Sequence, residues 1–177
     1  MQIEQFFLKS VGEWNSMRSG HSLAFQEFEE IRSKIKITPA RTNDNRLIKL
    51  VKDNLITTNS ANKAFLINWE AKSEWGEEPQ KENTSRESIL IPIEDSNKEG
   101  KIIRSAGYTE AIELISSYKL LDDGTLIINS NYNQITTEER IWFVSKNLRS
   151  RSSVTRAIDS SAILQTSYAS EIRSIKK

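Results

Sequence analysis

The sequence predicts a mainly β protein, an antiparallel up-and-down barrel of about nine or ten strands with an N-terminal helix and one internal helix. Three observations carry this reading. Short extended runs recur at roughly the 8 to 12 residue spacing of an all-β barrel or sandwich. Turn signals such as Asp122-Asp123-Gly124 and Ser145-Lys146-Asn147 separate them. No run alternates with a long helical pattern, as a parallel sheet requires. A barrel of about eight to ten strands can hold one small ligand, whereas a sandwich of the same strands has no cavity, and pattern alone leaves both open.

Taken in order, Ile3, Phe6, Phe7, Val11 and Trp14 fall at spacings of three and four. They predict a short helix over residues 3–14 with Gly12 near its end, a plug or lid. From Trp14 to Phe28 the pattern is extended, with Arg18 and His21 able to donate to an anion. Lys34 to Thr38 alternates as a strand closed by Pro39. Asn43 or Asp44 then caps a helix with Leu47, Ile48, Val51 and Leu55 on one face. Further strands are predicted over 64–71 (Phe65, Ile67 and Trp69 on one face), 86–94, 101–106, 112–120 and 125–132. A hairpin over 138–153 and a last run over 161–173 complete the set. Residues 76–85 are polar and predict a hairpin loop or flap. No repeat or low-complexity segment interrupts the chain, and 1–177 reads as a single domain closing into a lipocalin-like cup.

Composition narrows the function. Lys and Arg number 25 against 24 Asp and Glu, without a long basic run, so there is no electrostatic footprint for nucleic acid or an anionic membrane. Cysteine is absent, which removes thiolate metal sites and a cysteine nucleophile; any thiol chemistry must use a partner's thiol. A single His without a second His or any Cys offers no zinc ligand set. There is no phosphate-cradling loop and no nucleophile elbow. The start resembles neither a secretory signal nor a transit peptide, and no stretch approaches about 18 apolar residues, so a soluble, intracellular protein is expected.

The hairpin over 138–153 carries the chemistry. Strand alternation puts Glu139, Ile141 and Phe143 on one side of its first run, and Arg149, Arg151 and Ser153 on one side of its second. Inside a barrel this face offers a carboxylate and two guanidiniums to something anionic and partly apolar; outside, it is solvated ion pairs. Among the four tryptophans, Trp69 shares the parity of its apolar neighbours and is the pocket candidate, while Trp142 is opposite in parity to Glu139.

Four stretches together resemble the S-type phycobiliprotein bilin lyases, over nearly the whole chain. They are Trp14-Asn15-Ser16-Met17-Arg18-Ser19-Gly20-His21-Ser22-Leu23-Ala24-Phe25, Asn68-Trp69-Glu70 with Trp75 six residues on, Glu139-Arg140-Ile141-Trp142-Phe143 followed by Asn147 to Val154, and Ser170-Glu171-Ile172-Arg173. Met17 stands where the family usually has Gln, and residues 42–63 and those after Arg156 diverge. The resemblance implies a lipocalin-like barrel that binds a linear tetrapyrrole, phycoerythrobilin or phycocyanobilin. It implies transfer of that bilin to a cysteine of a phycobiliprotein apo-subunit as a thioether, with neither metal nor nucleotide as cofactor. It also implies a homodimer or a hetero-oligomer with a related lyase subunit, in the cytoplasm or, in an alga, the plastid stroma. Carried over by the resemblance are Arg18, Trp69, Trp75, Glu139, Arg149 and Arg151 for bilin binding. Glu139 and Arg149 also count as catalytic, with Ser153 and Glu171 as transfer-related. A bilin has two propionates, apolar pyrroles and nitrogens that are cationic when protonated, so it asks for guanidiniums, aromatic walls and one carboxylate. A carrier without transfer, or an interaction protein docking through the Arg-rich hairpin, would use the same residues.

Overall fold

A computed structural model describes residues 1–73, 85–105 and 114–175. Ten strands follow one another: β1 Gly12–Ser22, β2 Glu27–Pro39, β3 Phe65–Ser73, β4 Ser85–Ser96, β5 Glu99–Arg104, β6 Leu114–Leu120, β7 Leu126–Tyr132, β8 Ile135–Ser145, β9 Leu148–Ala157 and β10 Ile163–Arg173. Each pairs antiparallel with its neighbours in sequence, and β10 returns to pair with β1 from Trp14↔Arg173 to Ser22↔Gln165. The sheet therefore closes on itself, the sandwich alternative falls, and no strand among the described residues is left as an aggregation-prone edge. The extended stretch predicted over Trp14 to Phe28 divides at Ser22 into β1 and the start of β2, and β2 is longer than the predicted Lys34 to Thr38, because charged residues such as Glu29, Arg32 and Lys34 interrupt the apolar alternation without ending the ladder.

Alternation sorts the side chains. Trp14, Ile35, Ile37, Phe65, Leu90, Ile102, Tyr118, Leu120, Leu126, Ile128 and Ile141 point inward as one core. Helix α1, Ile3–Ser10, packs its Phe6 and Phe7 on that core. Phe7 stacks on Phe65 with centroids 5.2 Å apart, and Phe6 meets Phe143 edge-on at 5.3 Å. The predicted helix over residues 3–14 is thus too long. It stops at Ser10, and Gly12 takes φ +136°, which turns the chain into β1. Trp14 kept the helical spacing because it meets the same core from a strand, its Nε1 donating to Ser10 O at 2.8 Å. Arg173 fastens the junction by donating to the carbonyls of Lys9, at 2.6 Å, and Val11.

The connection from β2 to β3 contains α2, Asn45–Asp53, and the short α3, Thr58–Ala61, which was not predicted. Asp44 caps α2 by accepting from Arg46 N at 2.9 Å. The buried face of α2 is Leu47, Leu50 and part of Val51, packed on Ala64, Ile89, Ile91 and Ile103 outside the barrel. The face predicted from Leu47, Ile48, Val51 and Leu55 was therefore rotated: Ile48 is exposed, and Leu55 lies beyond the helix end at φ +51° and 92% exposed. This packing explains why β4 is apolar on both faces, with Leu90 inside and Ile89 and Ile91 beneath α2. No helix among the described residues is long and apolar enough to cross a membrane.

Candidate functional site

The barrel encloses a cavity of about 370 Å³, lined from α1 and from every strand except β6 among the described residues. Phe6 and Phe7 close it on the α1 side. Its wall mixes apolar groups (Ile35, Ile67, Trp69, Leu126, Ile128) with hydroxyls (Ser16, Ser33, Ser88, Thr137, Ser153, Thr155, Ser167) and charges. That size and mixture fit one small, elongated and partly polar ligand.

The hairpin of β8 and β9 turns its charged face inward, so the pocket alternative holds and the solvated one does not. Glu139, Arg149, Arg151 and Ser153 all line the cavity, and β10 adds Glu171 beside Arg149. These groups form a chain of alternating charge. Arg149 Nε donates to Glu171 Oε2 at 2.5 Å, with the two side chains only 2% and 1% exposed. Glu171 Oε1 lies 3.7 Å from Arg151 Nε, and Arg151 Nη1 lies 3.5 Å from Glu139 Oε1. Burial pushes the Arg149 guanidinium down to about 10 against the opposing pull of Glu171, so it is still charged at neutral pH. Its Cζ also sits 4.7 Å from the Trp14 ring centroid. Arg149 Nη2 is a buried donor with no hydrogen-bond partner among the described residues. Such a donor is costly unless something accepts from it, and a ligand anion is one acceptor.

The other predicted residues divide. Arg18 and Trp69 line the cavity, Arg18 held at its edge by Glu29 at 2.6 Å. Trp75 lies outside the described residues, as does nearly all of the predicted flap. Trp142 faces outward and packs near Tyr168, with centroids 6.3 Å apart, as its parity required. His21 also faces away from the cavity and packs edge-on to Phe28 at 4.9 Å. Ser153 Oγ shares a hydrogen bond of 2.7 Å with Ser167 Oγ. Two further cations, Arg86 on β4 and Arg104 on β5, line the cavity and were not singled out from sequence. Their strands are apolar on both faces, so alternation did not mark one side as the pocket.

Comparisons with known proteins agree with one another. The family model described as CpeS-like protein matches residues 2–174. The chain is 39% identical over 176 residues to "Chromophore lyase CpcS/CpeS 3" of Trichodesmium erythraeum, covering 98% of this chain and 100% of that protein. It is 28% identical over 153 residues to "Phycocyanobilin lyase subunit CpcS" of Picosynechococcus sp., covering 86% of this chain and 77% of the relative. A CpeS protein of Microchaete diplosiphon, named for phycoerythrobilin, is 33% identical over 151 residues, covering 84% and 66%. Among solved structures, the S-type phycobiliprotein lyase CPES from Guillardia theta superposes with a TM-score of 0.84 at 30% identity, covering 100% of this chain and 95% of that one.

Proposed function

The chain belongs to the CpeS-like family, and from that premise we propose that it is a phycobiliprotein chromophore lyase. In this reading it binds a linear tetrapyrrole, phycoerythrobilin, inside the barrel and hands it to a cysteine of a phycobiliprotein apo-subunit. The observation that carries this is the inward-facing chain Arg149–Glu171–Arg151–Glu139, set across the barrel from the Trp69 wall. Ten strands place β8 and β3 five positions apart in the ring, so Glu139 and Trp69 line opposite sides of the cavity.

The chemistry follows from those placements. Thiol addition forms a C–S bond at the exocyclic ethylidene carbon of the first ring, breaks the S–H bond and leaves one proton on the adjacent ring carbon. A protonated bilin accepts the thiolate more readily, and Glu139 stabilises the protonated pyrrole nitrogens, which is acid assistance to the addition. Trp69 and Trp75 supply aromatic contact with the pyrroles. Arg149, with Arg151 and Arg18, holds a propionate on the β9–β1 side of the barrel. Ser153 and Glu171 serve the transfer, Glu171 as a positioning residue because Arg149 and Arg151 occupy both of its oxygens. An ordinary cysteine is only partly thiolate at neutral pH, so fixing the bilin edge toward the partner's sulfur contributes as much as acid assistance. No resident cofactor enters this scheme. In the same reading the protein is a homodimer acting in the cytoplasm, or in the stroma in an alga; sedimentation velocity distinguishes one copy from two.

The test is to mix the protein with phycoerythrobilin or phycocyanobilin and a phycobiliprotein apo-subunit, denature, and follow colour that stays on the acceptor. Faster adduct formation at one cysteine than with bilin alone is the expected result, and Glu139→Ala should lose bilin colour while keeping the fold. Bilin that washes off with no gain on any acceptor would make the protein a carrier.

A further inference from the structure

The wall built from β8, β9 and β10 is electrically closed on itself. Arg149 and Arg151 stand there with Glu139 and Glu171, joined by contacts of 2.5, 3.5 and 3.7 Å. Arg18 on β1 has its own counter-ion in Glu29, outside the cavity lining. Arg104 differs from all of these. It is the last residue of β5, half-buried and lining the cavity, and its guanidinium has no hydrogen-bond or ion-pair partner among the described residues. A guanidinium moved partly out of water without a counter-ion loses hydration and gains nothing in exchange. Arg86 on β4, the neighbouring strand, also lines the cavity, so two cations of the described residues stand on the β4–β5 wall.

Position strengthens the point. β5 is five places from β10 and β4 five places from β9 in the ring of ten, so Arg104 looks across the cavity toward the Arg149–Glu171 pair. Strands ~4.8 Å apart and tilted by about 40° set opposite backbones of a ten-stranded barrel about 20 Å apart. Two arginine side chains reaching inward from such walls leave room for one elongated molecule between them.

We infer that Arg104 is a second anion anchor, seating one carboxylate of an elongated dianionic ligand whose other carboxylate is held by Arg149 on the far wall. This rests on the bilin reading, in which the two carboxylates are the propionates. Arg104 is then a positioning residue: it fixes the rotation of the bilin between the walls, and thereby which ring edge meets the acceptor thiol. A planar fork of donors suits a carboxylate, and Lys at this position would keep the charge without the bidentate geometry.

The experiment is an absorbance titration of wild type, R104Q and R104K with phycoerythrobilin and with its dimethyl ester. Wild type should bind the free acid about 10- to 100-fold more tightly than the ester, the worth of charge-assisted hydrogen bonds. R104Q should lose about tenfold or more on the free acid and almost nothing on the ester, with R104K between. R104Q binding the free acid like wild type, or losing both forms equally, would overturn the anchor while leaving the lyase reading standing. Equal affinity of wild type for acid and ester would also overturn it, without recourse to any variant. Wild type that takes up neither form would overturn both.

Discussion

The pair Arg149–Glu171 shows how one contact serves stability and binding with opposite demands. Both side chains are out of solvent, so each charge has given up its hydration and relies on the other. Glu171→Ala leaves the Arg149 cation uncompensated, and urea unfolding should show a loss of about 3–5 kcal/mol. The double change Arg149→Met with Glu171→Leu removes both charges and should recover most of that loss, since a packed apolar pair replaces a buried ionic one at little or no cost. It should recover no bilin binding, because the unpartnered Nη2 donor is gone with the arginine. Stability restored together with binding would mean that Arg149 is structural only. Sequence alone put Arg149, Arg151 and Glu139 on shared strand faces, because alternation is local. The Glu171 contact was not legible by spacing: it joins residues 22 apart through the β9–β10 register.

At the level of elements, strand alternation and turn residues were readable wherever a strand has one buried face, as in β3 with Phe65, Ile67 and Trp69. They failed where tertiary packing altered the environment. α2 buries Leu50 and not Ile48, because the apolar outer face of β4 and β5 decides which side of the helix is covered. Trp14 read as helical because a strand residue happened to reach the core at a helical spacing. The α2 cap carries its own pH signature. Hydrogen bonds from Arg46 hold the Asp44 carboxyl at about 2, against an ordinary value of 3.8. A carboxyl lowered in the folded state favours folding above its unfolded value, and that contribution disappears as pH falls from near 3.8 through about 2. Amide exchange in α2 should therefore lose protection over this acid window sooner than exchange in the barrel. Asp44→Asn keeps a capping oxygen but no titrating charge and should flatten that difference; Asp44→Ala should cost about 1 kcal/mol at neutral pH. Equal pH dependence in wild type and Asp44→Asn would show that the cap charge does not hold α2.

For the whole molecule, closure governs both folding and ligand response. The cavity is bounded by α1 and nine of the ten strands among the described residues, so no one hairpin contains the site. A ligand held there contacts groups that come together only when β10 has closed on β1, and it can bind the native barrel but not the open chain. Its binding free energy must then appear as global stability. At a hundredfold excess over Kd that amounts to about 2.7 kcal/mol. For a chain of this length each kcal/mol moves the melting midpoint by about 2–4 °C, so saturating bilin should raise Tm by about 5–10 °C. The Arg149→Met, Glu171→Leu protein should show no such rise, and Glu139→Ala little. Bilin bound on the outer face near Trp142 and Tyr168 would touch only β8, β9 and β10 and would leave those variants shifted like wild type. A calorimetric scan of the three proteins with and without bilin thus separates a ligand inside the barrel from one adsorbed on it.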